Sequence, residues 1–128
     1  MRAVTAQWKR QRRRIRALLK KWRVALTLDE WDITNEYTDG SIIVDGELSS
    51  GAVAAAAVRW EYRRATISWN TQAVAQMNDA DLEEVFLHEA MHVLLHEMRE
   101  VVAGNIKAEE RSATTFARVI LRVLEMRP

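Results

Sequence analysis

From Asp79 to Ala103 the chain runs 25 residues without a glycine or proline, and most of them are apolar. Leu82, Val85, Phe86, Leu87, Ala90, Met91, Val93, Leu94, Leu95 and Met98 leave almost no polar face, so the spacing predicts a central, buried helix. Asn78 and Asp79 are good N-caps, Asp81, Glu83 and Glu84 suit the positive end of the helix dipole, and Gly104-Asn105 is a stop. In the middle of this run stand His88, Glu89 and His92. Charged and polar side chains are rarely buried without a partner, so a helix of this kind needs something to hold these three.

One divalent cation meets that need. Residues four apart share a helix face one turn apart, so His88 and His92 can grip one ion from the same side, with Glu89 beside the open position. The plainer alternative is two neutral, hydrogen-bonded histidines in an accidental match. The chain has no cysteine, so any metal must be held by His and carboxylate. His96 continues the four-residue spacing, but it lies about 12 Å along the axis from His88, too far for one ion with bonds near 2 Å. It is expected to pack or to support the site from behind.

A third ligand is therefore expected from the closing helix, drawn from about Ala108 to Met126 with Ala113, Ala117, Ile120, Leu121 and Leu124 inward. Glu110 leads the stripe of Ala113, Thr114, Ala117, Leu121 and Leu124, whereas Glu109 aligns with Phe116, Ile120 and Val123. Glu110 is preferred, and Glu109 stays open. Either acid alternatively just favours a helix N-terminus.

Ahead of the long helix, residues 26–36 read as a short extended segment in which Trp31, Ile33 and Asn35 alternate with polar neighbours. Thr38-Asp39-Gly40-Ser41 and Asp45-Gly46 read as turns. Residues 52–61 are read as a strand despite four alanines, and residues 65–69 as a better one by their alternation. The layout is α+β: an N-terminal helix, a small three-stranded sheet, the His-Glu-x-x-His helix and a C-terminal helix.

At 128 residues this is one folded unit, divided here into a basic N-terminal helix (1–26) and a single domain (27–128). Residues 1–23 carry ten Lys/Arg and no acid, while the remaining 105 residues carry a net charge of −9. That helix either packs Trp8, Ile15, Leu19 and Trp22 on the acidic body or binds nucleic acid through residues 2–23. No helix-turn-helix or finger pattern accompanies the charge. No uncharged apolar run is long enough for a membrane span, and the basic N-terminus has no apolar signal core, so a cytoplasmic location is expected.

The stretch His88-Glu89-Ala90-Met91-His92-Val93-Leu94-Leu95-His96, with Glu110-Arg111-Ser112-Ala113-Thr114-Thr115-Phe116-Ala117, resembles the gluzincin group of zinc metallopeptidases. More narrowly it is similar to the small metallopeptidase-like proteins of phages and mobile elements, and distantly to ImmA/IrrE peptidases. The likeness covers roughly residues 27–124, is strongest over 62–97, and includes Tyr62-Arg63-Arg64-Ala65-Thr66-Ile67-Ser68-Trp69-Asn70. It implies a minimal zincin-like fold, a phage or prophage setting and hydrolysis of a protein or peptide substrate. His88, His92 and Glu110 would be the Zn²⁺ ligands and Glu89 the catalytic acid/base. Thr114 stands where the ImmA-like pattern has Asn.

In such a site Glu89 would take a proton from water and pass it to the leaving amine, and the oxyanion would need a further donor from Tyr62, Tyr37 or His96. Residues 65–69 are expected to offer the edge on which an extended substrate pairs. Specificity is expected from a partner or a short loop such as residues 101–107. The competing classes are a catalytically silent, zinc-stabilised binding module and a nucleic-acid-associated protein working through its basic helix.

Overall fold

The computed structural model describes residues 2–101 and 106–125, with side chains described over 8–96 and 109–125. Helix α1 (Arg2–Trp22) lays one face on the body: Ile15 and Trp22 are buried, and Leu18 and Leu19 pack against the same core. A 3-10 turn with buried Leu28 leads into strand β1 (Asp32–Thr38). A two-stranded hairpin follows, β2 (Ile42–Val44) and β3 (Glu47–Ser49), paired antiparallel. Its two-residue turn, Asp45-Gly46, has positive φ at both positions (51° and 83°), the geometry that matches strand twist in tight hairpins.

Strand β4 (Ala54–Arg59) and strand β5 (Arg64–Asn70) complete a three-stranded sheet of order β1-β5-β4, with β1 parallel and β4 antiparallel to β5. The layout is α+β with a small sheet. The Asp45-Gly46 hairpin is an addition that sequence alone placed only as a turn. Residues 65–69, expected to offer an open edge to substrate, are instead the central strand. Ala65, Ile67 and Trp69 are buried on one face, and hydrogen bonds leave on both sides. A period of two reports a buried face and says nothing about which backbone edge is free. The exposed edge beside the long helix belongs to β4.

A short helix α2 (Thr71–Ala75) follows β5 directly, capped by Asn70, whose side chain accepts from Ala73 N. Asn70 is 1% exposed and makes four bonds that matter: its Oδ1 also accepts from Gly40 N, and its Nδ2 donates to the carbonyls of Ser50 and Ala52. One buried amide thus fixes the turn after β1, the approach to β4 and the start of α2, which sets where the hairpin stands.

Helix α3 (Asp79–Val101) begins with Asn78, whose Oδ1 accepts from Asp81 N at 2.8 Å. Leu82, Phe86, Leu87, Ala90 and Val93 are buried against β5, α1 and the last helix, α4 (Ile106–Glu125). The Gly104-Asn105 stop, and most of the 101–107 loop, lie outside the described residues. α4 meets α3 through Ala113 and Ala117, both essentially inaccessible. Phe116 and Val123 are about half exposed, while Ala113, Ala117, Leu121 and Leu124 face the core together with Ile120; Glu109 is buried at the head of that face and Glu110 is exposed beside it. Among the described residues no helix is long and apolar enough to cross a membrane.

Candidate metal centre

α3 and α4 bring His88, His92 and Glu110 together, with one donor atom from each lying within 4.8 Å of the others. The helical repeat places the two imidazoles on one face, and their Nε2 atoms are 3.1 Å apart. Glu110 reaches across from α4: Oε1 lies 2.7 Å from His88 Nε2 and Oε2 lies 2.8 Å from His92 Nε2. Donor atoms around one tetrahedral ion with bonds near 2 Å stand about 3.3 Å from each other. The two imidazole nitrogens match that spacing, and the Glu110 oxygens lie about half an ångström closer to them than it requires.

The far nitrogens of both rings are also held. His92 Nδ1 is 2.8 Å from Oε1 of Glu109, whose side chain is 5% exposed, and His88 Nδ1 is 3.2 Å from Thr114 Oγ1. A carboxylate that only accepts selects the tautomer with the proton on His92 Nδ1, and in that tautomer Nε2 presents a lone pair. Thr114 can accept from His88 Nδ1 in the same way. In that tautomeric state two imidazole lone pairs and a carboxylate face one another, an arrangement that a cation can satisfy. A proton on His88 is a poor substitute, because burial, aided by the nearby His92, holds its pKa below the ordinary 6.5 despite the pull of Glu110. The group His88, His92 and Glu110 can therefore bind a metal ion.

Sequence reasoning set Glu109 and Glu110 against each other as rivals for one place; the structure uses both. Glu110 converges with the histidines while Glu109 orients His92 from behind. The signal was present: a ligating imidazole needs an acceptor for its other N–H, and a second acid beside the first supplies it. Thr114, in the position where Asn was the expected type, contacts His88 and not the carboxylate of Glu110.

Glu89 is 6% exposed and points into the same space. Burial pushes its carboxyl up to about 7; the Glu110 charge adds to that rise, while His92 and a hydrogen bond from the Ala56 amide oppose it. The amide bond has a topological cause. Val53 O accepts from Asn70 N, so odd-numbered groups of this segment face β5 and Ala54, Ala56 and Val58 face the free edge. Glu89 thus sits against the open backbone of β4.

A cavity of about 400 Å³ adjoins the cluster, walled by Ala54 to Val58, by the hairpin residues Ile43 to Gly46, and by His96. The small alanines that made this strand ambiguous in sequence leave that space. A second hollow on the other side of His88 and Glu89 is lined by Val53, Met77, Asp81, Glu84 and Val85. Of the three oxyanion-donor candidates only His96 lines the main cavity. Tyr62 is 69% exposed in the turn before β5, and Tyr37 stacks edge-to-face on Trp8 at 5.6 Å on the α1 side of the sheet. An aromatic hydroxyl is a plausible donor by type, but neither strand register nor turn carries these two to the cluster.

No family model, curated protein or solved structure matches this chain.

Proposed function

We propose that this chain is a zinc-dependent metallopeptidase of minimal zincin-like build. The observation that carries the reading is the convergent cluster: His88 Nε2, His92 Nε2 and the Glu110 carboxylate lie together, with Glu109 and Thr114 bonded to the far nitrogens of the rings. Two imidazoles, one carboxylate and no thiolate form a donor set suited to Zn²⁺, with a fourth position left for the reaction. Zinc supplies Lewis-acid polarisation of the scissile carbonyl and an acidified water.

The rest belongs to the chain's own groups. Glu89, buried beside the cluster and with its pKa near neutrality, is matched to taking a proton from water and returning it to the leaving amine. Open amide and carbonyl groups at Ala54 and Val58 pair with an extended peptide and carry its backbone past Glu89. His96, on the cavity wall, is the available donor to developing negative charge on the carbonyl oxygen. The resemblance of residues 62–97 goes with a cytoplasmic, phage- or prophage-encoded enzyme.

Metal analysis of purified protein, joined to hydrolysis of a peptide library, tests the reading. One zinc per chain is expected, lost in Glu110→Ala and retained in Glu109→Ala at lower affinity, with cleavage abolished in Glu89→Gln. Full zinc loading without cleavage of any peptide would leave a zinc-stabilised binding module. Absence of zinc binding in the wild type would end both readings.

A further inference from the structure

Helix α1 has two faces with opposite fates. Its inner face is occupied: Gln11, Ile15 and Trp22 are buried in the body. Lys9, Arg13, Arg16 and Lys20 run along the middle of the outer face, with Arg12 on one flank and Arg10 and Lys21 on the other, and all are exposed. At 100° per residue these cations cover about half the helix circumference, and Lys9 to Lys20 spans about 16 Å of axis. Among the described residues only Arg14 and Lys21 of this helix form ion pairs, with Asp79 and Glu83. The crest is left without counter-charges although the body is acidic.

We propose that this face binds double-stranded DNA through its phosphates, without sequence preference. Three observations select that partner among polyanions. The apolar face of α1 is already buried, so the helix has nothing to insert into a bilayer. Charge spread over half a cylinder meets a flat anionic surface only at its crest, but meets the two phosphate rows flanking a groove on both sides. A helix about 10–12 Å across fits the B-form major groove, about 12 Å wide, and not the deep, narrow groove of duplex RNA. The cations are mostly arginine, the type that binds phosphate with two parallel hydrogen bonds. The described outer face carries no Asn or Gln to read adenine edges, and the proposal commits its Arg and Lys side chains to the phosphate rows rather than to guanine edges, hence the lack of sequence preference. This inference is independent of the metal centre.

The test uses the full chain and a labelled 20-base-pair duplex of mixed sequence, followed by fluorescence anisotropy across a salt series. Five or six phosphate contacts give a log–log salt slope of about −4.5 to −5.4. The triple variant Arg13→Glu/Arg16→Glu/Lys20→Glu is expected to weaken binding at least 100-fold with zinc content unchanged. The milder Arg16→Gln/Lys20→Gln, which keeps the helix should the triple variant not fold, is expected to flatten the slope by about 1.8. Unchanged affinity in a folded variant, a slope near zero, or tighter binding to phosphatidylserine vesicles or duplex RNA than to DNA would each overturn the proposal. So would a salt-sensitive dimer that the same substitutions dissolve and that leaves the duplex unbound.

Discussion

Among the described residues, two charged clusters that reach the interior of this small protein are opposite in sign. Around Arg14 the chain supplies its own cation. The guanidinium donates to Gln11 Oε1, to the carbonyls of Val74 and Met77 at 3.0 and 2.7 Å, and to Asp79. Those carbonyls lie at the end of α2 and in the turn after it; Val74 O already accepts from Met77 N, and the guanidinium adds a second donor there and a donor at Met77 O. Around His88 the chain supplies acceptors and carboxylates and withholds the cation. The first cluster is complete and therefore structural. The second gathers groups that an ion from solution could complete, which is the premise of the proposed zinc site.

The largest way to break this contrast is at Glu89. Glu89→Gln is expected to lower kcat by about 10²–10⁴-fold with zinc retained, measured by peptide turnover beside metal analysis. A variant that loses zinc and turnover together would make Glu89 part of the ion's support and not of proton transfer. Next in size is Arg14→Leu, expected to cost about 2–4 kcal/mol of stability in urea unfolding, equally with and without zinc, because it removes the charged donor shared by Gln11 and the carbonyls of Val74 and Met77. A loss seen only in the zinc-loaded protein would mean the two clusters are coupled after all.

The metal-free protein gives a third, pH-resolved test. Burial raises the Glu89 pKa from its ordinary 4.5 to about 7, so the protonated form favours the fold. That contribution is whole below pH 4.5 and is lost as pH rises through about 7. Glu89→Gln should therefore gain about 3 kcal/mol over wild type at pH 8, and nothing at pH 4. His88 runs the other way: with its pKa lowered, its contribution is present above 6.5 and is lost as pH falls below that value. Smaller again is Glu109→Gln, expected to weaken zinc about 10–100-fold by isothermal titration, since it disturbs the ring behind His92 and not a ligand. Thr114→Val should act in the same direction and least, by about 1 kcal/mol, because it removes one neutral hydrogen bond.

The site was more legible in the sequence than the sheet. His88 and His92 are fixed by one helical repeat, and Glu110 by the apolar stripe it leads, and both periodicities survive folding. What did not show was anything set by strand pairing. The alternation of Ala65, Ile67 and Trp69 marks a strand, but nothing in it tells an edge from a centre, and pairing on both sides makes residues 65–69 the centre of the sheet. The edge fell to a run of alanines with no period at all. Tyr37 and Tyr62 likewise were chosen by side-chain type, and only three-dimensional register shows that one faces Trp8 and the other solvent. Local repeat is written in the chain, whereas partner choice between strands depends on residues far away in it.

The two alanines at the α3–α4 contact carry a consequence beyond packing. Ala113 and Ala117 let the helices approach until a glutamate's short arm spans the gap to both imidazoles. Coordination tolerates errors of about 0.2 Å, far less than the thickness of one added methyl group. The methyls of Ala113 and Ala117 thus act as a spacer gauge for the chemistry one turn away. Widening either to valine would detune the ion's cradle without touching a single atom that holds it.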